Sequence, residues 1–149
     1  MYKKLLVPLD GSEVSESIMP QVIAVAKPSK ASVVLFQAHE RVERPVREVM
    51  GEDIAKKLET VTREDARTYL EKIGGDLAKH GIKTTIIIAE GRPAESIVEY
   101  ATKNAIDLIV MATHGRSGIT RWAFGSVADK VLRQSPVPVL LAPVAGART

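Results

Sequence analysis

Short, nearly unbroken apolar runs alternate along this chain with longer stretches of helical period, and no other feature constrains the fold as much. Five runs read as strands. They are Leu5-Leu6-Val7-Pro8-Leu9, the segment Ala31 to Ala38 around Val33-Val34-Leu35-Phe36, Thr84 to Ala89, Asp107 to Ala112, and Val137 to Ala142. β-Branched and large aliphatic residues dominate them, as a pleated surface favours. Strands apolar on both sides need cover on both faces, and this is the signature of a parallel sheet between helical layers.

The intervening segments supply that cover. Ser15 to Lys27 carries Ile18, Val22, Val25 and Ala26 on one stripe, with Pro20 requiring a late start or a kink. A long helix is expected from about Asp53 to His80, with Ile54, Leu58, Val61, Tyr69, Ile73 and Leu77 as its apolar stripe and Gly81 as its stop. Ala94 to Lys103 follows Gly91-Arg92-Pro93, with the proline suited to the first turn. A last helix opens at Phe124 or Gly125 and runs to Gln134. His39 to Gly51, with Pro45 and alternating charge, reads as irregular.

Strands separated by helices form right-handed crossovers. The expected fold is α/β: a doubly wound domain with a five-stranded parallel sheet flanked by helices. The 149 residues suit a single domain over 1–149, with an ordered core of about 2–144 and a frayed small-residue tail. The last strand is expected at a sheet edge, because Pro136, Pro138 and Pro143 interrupt its donors.

Composition removes several functional classes. There is no cysteine, which excludes disulfides, thiol catalysis and thiolate metal sites and suits a reducing compartment. The net charge of +3 is mild, and basic residues interleave with acids as on a solvated helix face. Aromatics make up only 4%, too few for platforms that stack single strands. Nucleic acid is not an expected partner. No segment approaches the ~20 apolar residues of a membrane span, and Asp10 interrupts the N-terminal run too early for a signal peptide. The expectation is a cytoplasmic protein without membrane association.

In doubly wound sheets, ligands bind beyond the carboxyl ends of the strands where strand order reverses. The richest such stretch runs from Met111 to Ser126 and leads from a strand into a helix. Its glycines allow close approach of backbone N–H groups to an anion, and the helix beginning near Gly125-Ser126 adds unpaired N–H groups and a positive dipole end. The same pattern is compatible with a plain loop closed by a serine cap. It is not a P-loop, since no lysine precedes Ser126.

The chain resembles the universal stress protein family over nearly its whole length. The resemblance rests on Val7-Pro8-Leu9-Asp10-Gly11-Ser12, His114-Gly115-Arg116-Ser117-Gly118, Gly125 to Val131, and Pro136-Val137-Pro138-Val139-Leu140. The ATP-binding branch of that family carries Gly, two residues, Gly, nine residues, then Gly and Ser or Thr. Here Gly115, the nine residues Arg116 to Phe124, then Gly125 and Ser126 match, while Ala112 stands at the first glycine position.

The resemblance implies an adenine nucleotide alpha hydrolase-like fold and a site for ATP, or AMP or ADP, with or without Mg. It implies that Asp10 faces ribose and adenine and that Pro8, Leu9, Ala38 and Met111 line the adenine slot near Ala112. Gly115, Arg116, Gly118, Gly125, Ser126 and Val127 would then surround the phosphates. It also implies a homodimer through the edge strand 137–142.

Other chemistry is thinly supported. His39, His80 and His114 have no metal-binding spacing, although His39 and His114 could both lie near the site. No metal ligands are assigned; Asp10 would meet Mg only as a Mg–nucleotide complex. Neither Ser12 nor Ser126 has a nucleophile-elbow context. No catalytic residues are assigned, and ATP hydrolysis is expected to be slow at most. The leading expectation is a nucleotide-binding regulatory protein of stress response. The alternatives are a dimeric interaction module without nucleotide and a slow Mg-dependent ATPase.

Overall fold

The computed structural model describes residues 1–113 and 125–143. Strands β1 (Lys4–Pro8), β2 (Ser32–His39), β3 (Thr84–Glu90), β4 (Leu108–Thr113) and β5 (Val139–Pro143) form one sheet in the order β3-β2-β1-β4-β5. Every pairing is parallel. The chain winds outward from β1 to β3, crosses back, and adds β4 on the other side of β1. Strand order therefore reverses between β1 and β4.

The pleat divides the core in two. Leu5, Val7 and Leu9 of the β1 segment pack with Val33, Leu35 and Val110 against one helical layer. That layer is formed by α2 (Met19–Ser29) through Val22 and Ala26, and by α4 (Glu52–Ala78) through Leu70, Ile73 and Leu77. Leu6, Val34, Phe36, Ile109 and Met111 face the other layer. There α5 (Pro93–Lys103) contributes Ala94, Ile97 and Ala101, and α6 (Gly125–Gln134) contributes Ala128 and Val131. Leu5, Leu6 and Ile109 have no exposed surface, as double coverage requires.

Three local expectations are corrected. The first helical segment is split into α1 (Glu13–Glu16) and α2. Ser17 ends the first piece, and Pro20 stands in the opening turn of the second, where its missing N–H costs nothing. The stretch expected to be irregular contains α3 (Arg44–Met50), with Pro45 acting as a helix starter. Its Arg47 pairs with Glu52 and Glu59 of α4, each at 2.7 Å.

The third concerns the α4 stripe. Ile73 and Leu77 are buried, but Ile54, Leu58 and Val61 are exposed. Toward the N-terminus of this 27-residue helix the buried positions are Ala55 and Ala66 instead.

At the chain's end, β5 begins at Val139, later than the expected Val137, and pairs only with β4 at the sheet edge. Among the described residues no strand pairs with its outer side, which is where proline can be tolerated. The tail beyond residue 143 lies outside the described residues.

Candidate functional site

A cavity of about 190 Å³ opens over the carboxyl ends of β1, β2 and β4, at the reversal of strand order. Its floor follows from the strands. Pro8 and Leu9 come from the end of β1, Phe36 and Ala38 from β2, and Met111 and Ala112 from β4. Leu9 N–H donates to the Phe36 carbonyl at 2.8 Å, which continues the β1–β2 pairing past the formal strand end.

The walls come from helix starts. Val14 and Ser15 stand on α1, Pro93 and Ile97 on α5, and Gly125, Ser126, Val127 and Ala128 on the first turn of α6. Gly125 has φ +68°, a left-handed conformation that an L side chain adopts only at a cost. The α6 N-terminus therefore enters the cavity with opening N–H groups that have no partner within the helix, at its positive dipole end. Ser126 is exposed beside them.

Asp10 sits at the rim, just beyond β1. Its Oδ1 accepts the Ser12 backbone N–H at 2.9 Å, and its own N–H donates to Ser15 Oγ at 3.2 Å. Ser12 caps α1 by accepting the Ser15 N–H at 3.1 Å. Partial burial pushes the Asp10 carboxyl up, but the hydrogen bonds from Ser12 and Ser15 outweigh it and hold the group below its ordinary value. At neutral pH it is an anion with acceptor capacity to spare.

The structure thus brings together Pro8, Leu9, Asp10, Ala38, Met111, Ala112, Gly125, Ser126 and Val127. Gly115, Arg116 and Gly118, together with His114, lie outside the described residues. Ala112 is an ordinary β4 strand residue without positive φ, so its backbone does not require glycine. Sequence reasoning missed Val14, Ser15, Phe36, Pro93, Ile97 and Ala128. For Pro93 and Ile97 a signal existed: Gly91-Arg92-Pro93 starts a helix directly after the carboxyl end of a strand.

His39 is not part of this cavity. It follows Ala38 on β2 and lines a separate cavity near the ends of β2 and β3, whereas His80 is exposed in the turns after α4. Among the described residues no group of three or more His, Asp or Glu side chains is placed to hold a metal ion. No described helix is long and apolar enough to cross a membrane.

Comparison with known proteins places these features in context. The model of the universal stress protein family matches residues 1–143. Universal stress protein MJ0531 of Methanocaldococcus jannaschii is 33% identical over 95% of this chain and 82% of its own length. Universal stress protein MJ0577 of the same organism is 30% identical over 95% of this chain and 94% of its own. A solved structure of MJ0577 superposes with a TM-score of 0.81 at 32% identity, covering 96% of each chain. A universal stress protein solved in complex with cAMP has a TM-score of 0.65 at 22% identity, covers 97% of this chain and 98% of that one, and shares the fold.

Proposed function

The chain belongs to the universal stress protein family, and we propose that it binds an adenine nucleotide, with ATP, ADP or AMP as candidates, in the cavity over β1 and β4. One observation carries the reading: the Asp10 carboxylate and the glycine-led N-terminus of α6 border the same cavity at the reversal of strand order. A carboxylate is an acceptor for ribose hydroxyls, and unpaired helix N–H groups are donors for phosphate oxygens. Between them lies an apolar slot of Pro8, Leu9, Ala38 and Met111 with room for a flat base. A family member of the same fold has been solved in complex with cAMP, a nucleotide of this class.

In this reading Asp10 orients the ribose and the apolar slot takes the adenine. Gly125, Ser126 and Val127 hold the phosphates, joined by Gly115, Arg116 and Gly118 of the preceding loop. Any Mg arrives bound to the nucleotide. No residue is assigned to bond-breaking, since among the described residues the cavity offers Asp10 and no partnered general base. The role is regulatory: a cytoplasmic single domain over 1–149 whose nucleotide state alters its associations.

The edge of β5 offers the surface for a homodimer, because no described strand pairs with its outer side and its apolar residues are only half-buried. Sedimentation at micromolar concentration tests this second part, and a monomer at all concentrations would remove it. The nucleotide reading is tested by denaturing freshly purified protein and searching the supernatant for adenine absorbance. Nucleotide released in proportion to protein supports it. A clean supernatant, followed by no protection of the fold when ATP is added back, would count against it.

A further inference from the structure

Consecutive residues at the end of β2 open onto different sides of the sheet. Ala38 lines the cavity described above, and His39 lines a second one of about 210 Å³ bordered by Arg41, Val42, Leu58, Arg63 and Ile88. Neither the family reading nor the nucleotide site uses it.

Its polar groups are unevenly matched. Three carboxylates border it, and each already has a cation. Glu59 is held by Arg47 at 2.7 Å, Glu90 lies 3.7 Å from Arg41, and Glu40 lies 3.9 Å from Arg92. Arg63 of α4 makes no ion pair among the described residues. His39 Nε2 is fully buried and has no hydrogen-bond partner among the described residues, and on the same face of β2 the buried Gln37 Oε1 is likewise unpaired among them. A buried polar nitrogen without a partner is uncommon in a folded protein.

The rest of the wall is apolar, formed by Val42, Leu58, Ile88 and Ala89. We infer that this cavity is a second ligand site, taking a small organic acid whose carboxylate lies between Arg63 and His39 and whose short apolar body rests on Val42, Leu58 and Ile88.

Burial and the nearby Arg63 guanidinium hold the His39 imidazole below its ordinary value. Glu40, Glu59 and Glu90 also border it, but with their charges matched. A bound carboxylate would stabilise the imidazolium, so binding raises the pKa of His39 and strengthens as pH falls toward it.

Imidazole NMR on the full chain reads this directly. His39 is assigned with a His39→Asn variant, and His80 and His114 serve as internal references. Acetate, propionate and butyrate probe the acid with growing apolar body, and inorganic phosphate probes the anion alone. The expected result is a saturable shift confined to His39, with affinity rising by up to about fourfold per added methylene. Arg63→Gln, an exposed substitution, abolishes it, while the equally exposed Arg67→Gln does not. No response at His39, a uniform shift of the three histidines, an equal response to phosphate, or a response that survives Arg63→Gln would overturn the assignment.

Discussion

The backbone N–H of Ser12 donates to Oδ1 of Asp10 at 2.9 Å. That bond closes the turn between β1 and α1 and fixes a carboxylate at the rim of the cavity. Asp10 Oδ2 makes no hydrogen bond among the described residues, so one oxygen serves the turn and the other is open to a ligand. Asp10→Ala should lower adenine-nucleotide affinity by about 10- to 100-fold, the usual range for losing hydrogen bonds to a charged group. Titration calorimetry of the two proteins reads the difference. Equal affinity would place the ribose elsewhere.

The same contact makes a prediction about acid. The Asp10 carboxyl is held below its ordinary value, so the folded state binds fewer protons there than the unfolded chain. Its contribution to stability is present above the unfolded value of about 3.9 and is lost as pH falls through the lower folded value. Urea midpoints measured from pH 6 down to pH 3 should therefore fall less steeply for Asp10→Asn than for the parent. Parallel curves would show that the turn does not depend on the charge.

Gly125 begins α6 with φ +68°. A side chain at that position meets backbone strain on the order of 1–2 kcal/mol and also occupies the space into which the phosphates would come. Gly125→Val should lose stability by that amount and nucleotide affinity by more than stability alone explains. Denaturant midpoints and calorimetry on the same preparation separate the two. A variant that is strained but binds normally would locate the phosphates away from α6.

The two halves of α4 should respond differently to substitution. Ile73 is 3% exposed and packs in the core, whereas Ile54 is 60% exposed. Ile73→Ala should cost about 2–5 kcal/mol and Ile54→Gln less than about 0.5 kcal/mol. Chemical denaturation measures both. A large loss at Ile54 would mean that the exposed stripe is covered in solution.

That contrast shows where the fold was legible and where it was not. The strands announced themselves because burial on both faces leaves no room for polar residues, and Val33 to Phe36 is apolar without a break. Helical period in α4 was equally clear, but period does not say what a stripe packs against. Ile54, Leu58 and Val61 repeat correctly and are still exposed, while Ala55 and Ala66 take the buried positions toward that end of the helix. The α3 helix was hidden because Pro45 reads as a breaker unless it is known to stand in the first turn.

The candidate site was legible in outline through a topological rule, since ligands collect where strand order reverses. Asp10, Ala38 and Ala112 stand at strand ends and follow from that rule, whereas Pro8, Leu9 and Met111 follow only from the family resemblance. Val14, Phe36 and Ile97 follow from neither, because they reach the cavity through packing between elements distant in sequence. At Ala112 the backbone does not call for glycine, since a strand residue without positive φ carries a methyl group easily. His39 could have been assigned to either side of β2, and only the pleat decided it.

The central claim is that Asp10 and the α6 N-terminus together form an adenine-nucleotide site. Titrating the purified chain with ATP, ADP and AMP in a calorimeter, alongside Gly125→Val, tests it most directly. The expected result is saturable binding of one nucleotide per chain well below millimolar concentration, weakened in the variant. Absence of heat at millimolar nucleotide, from a chain shown to be folded, would contradict it.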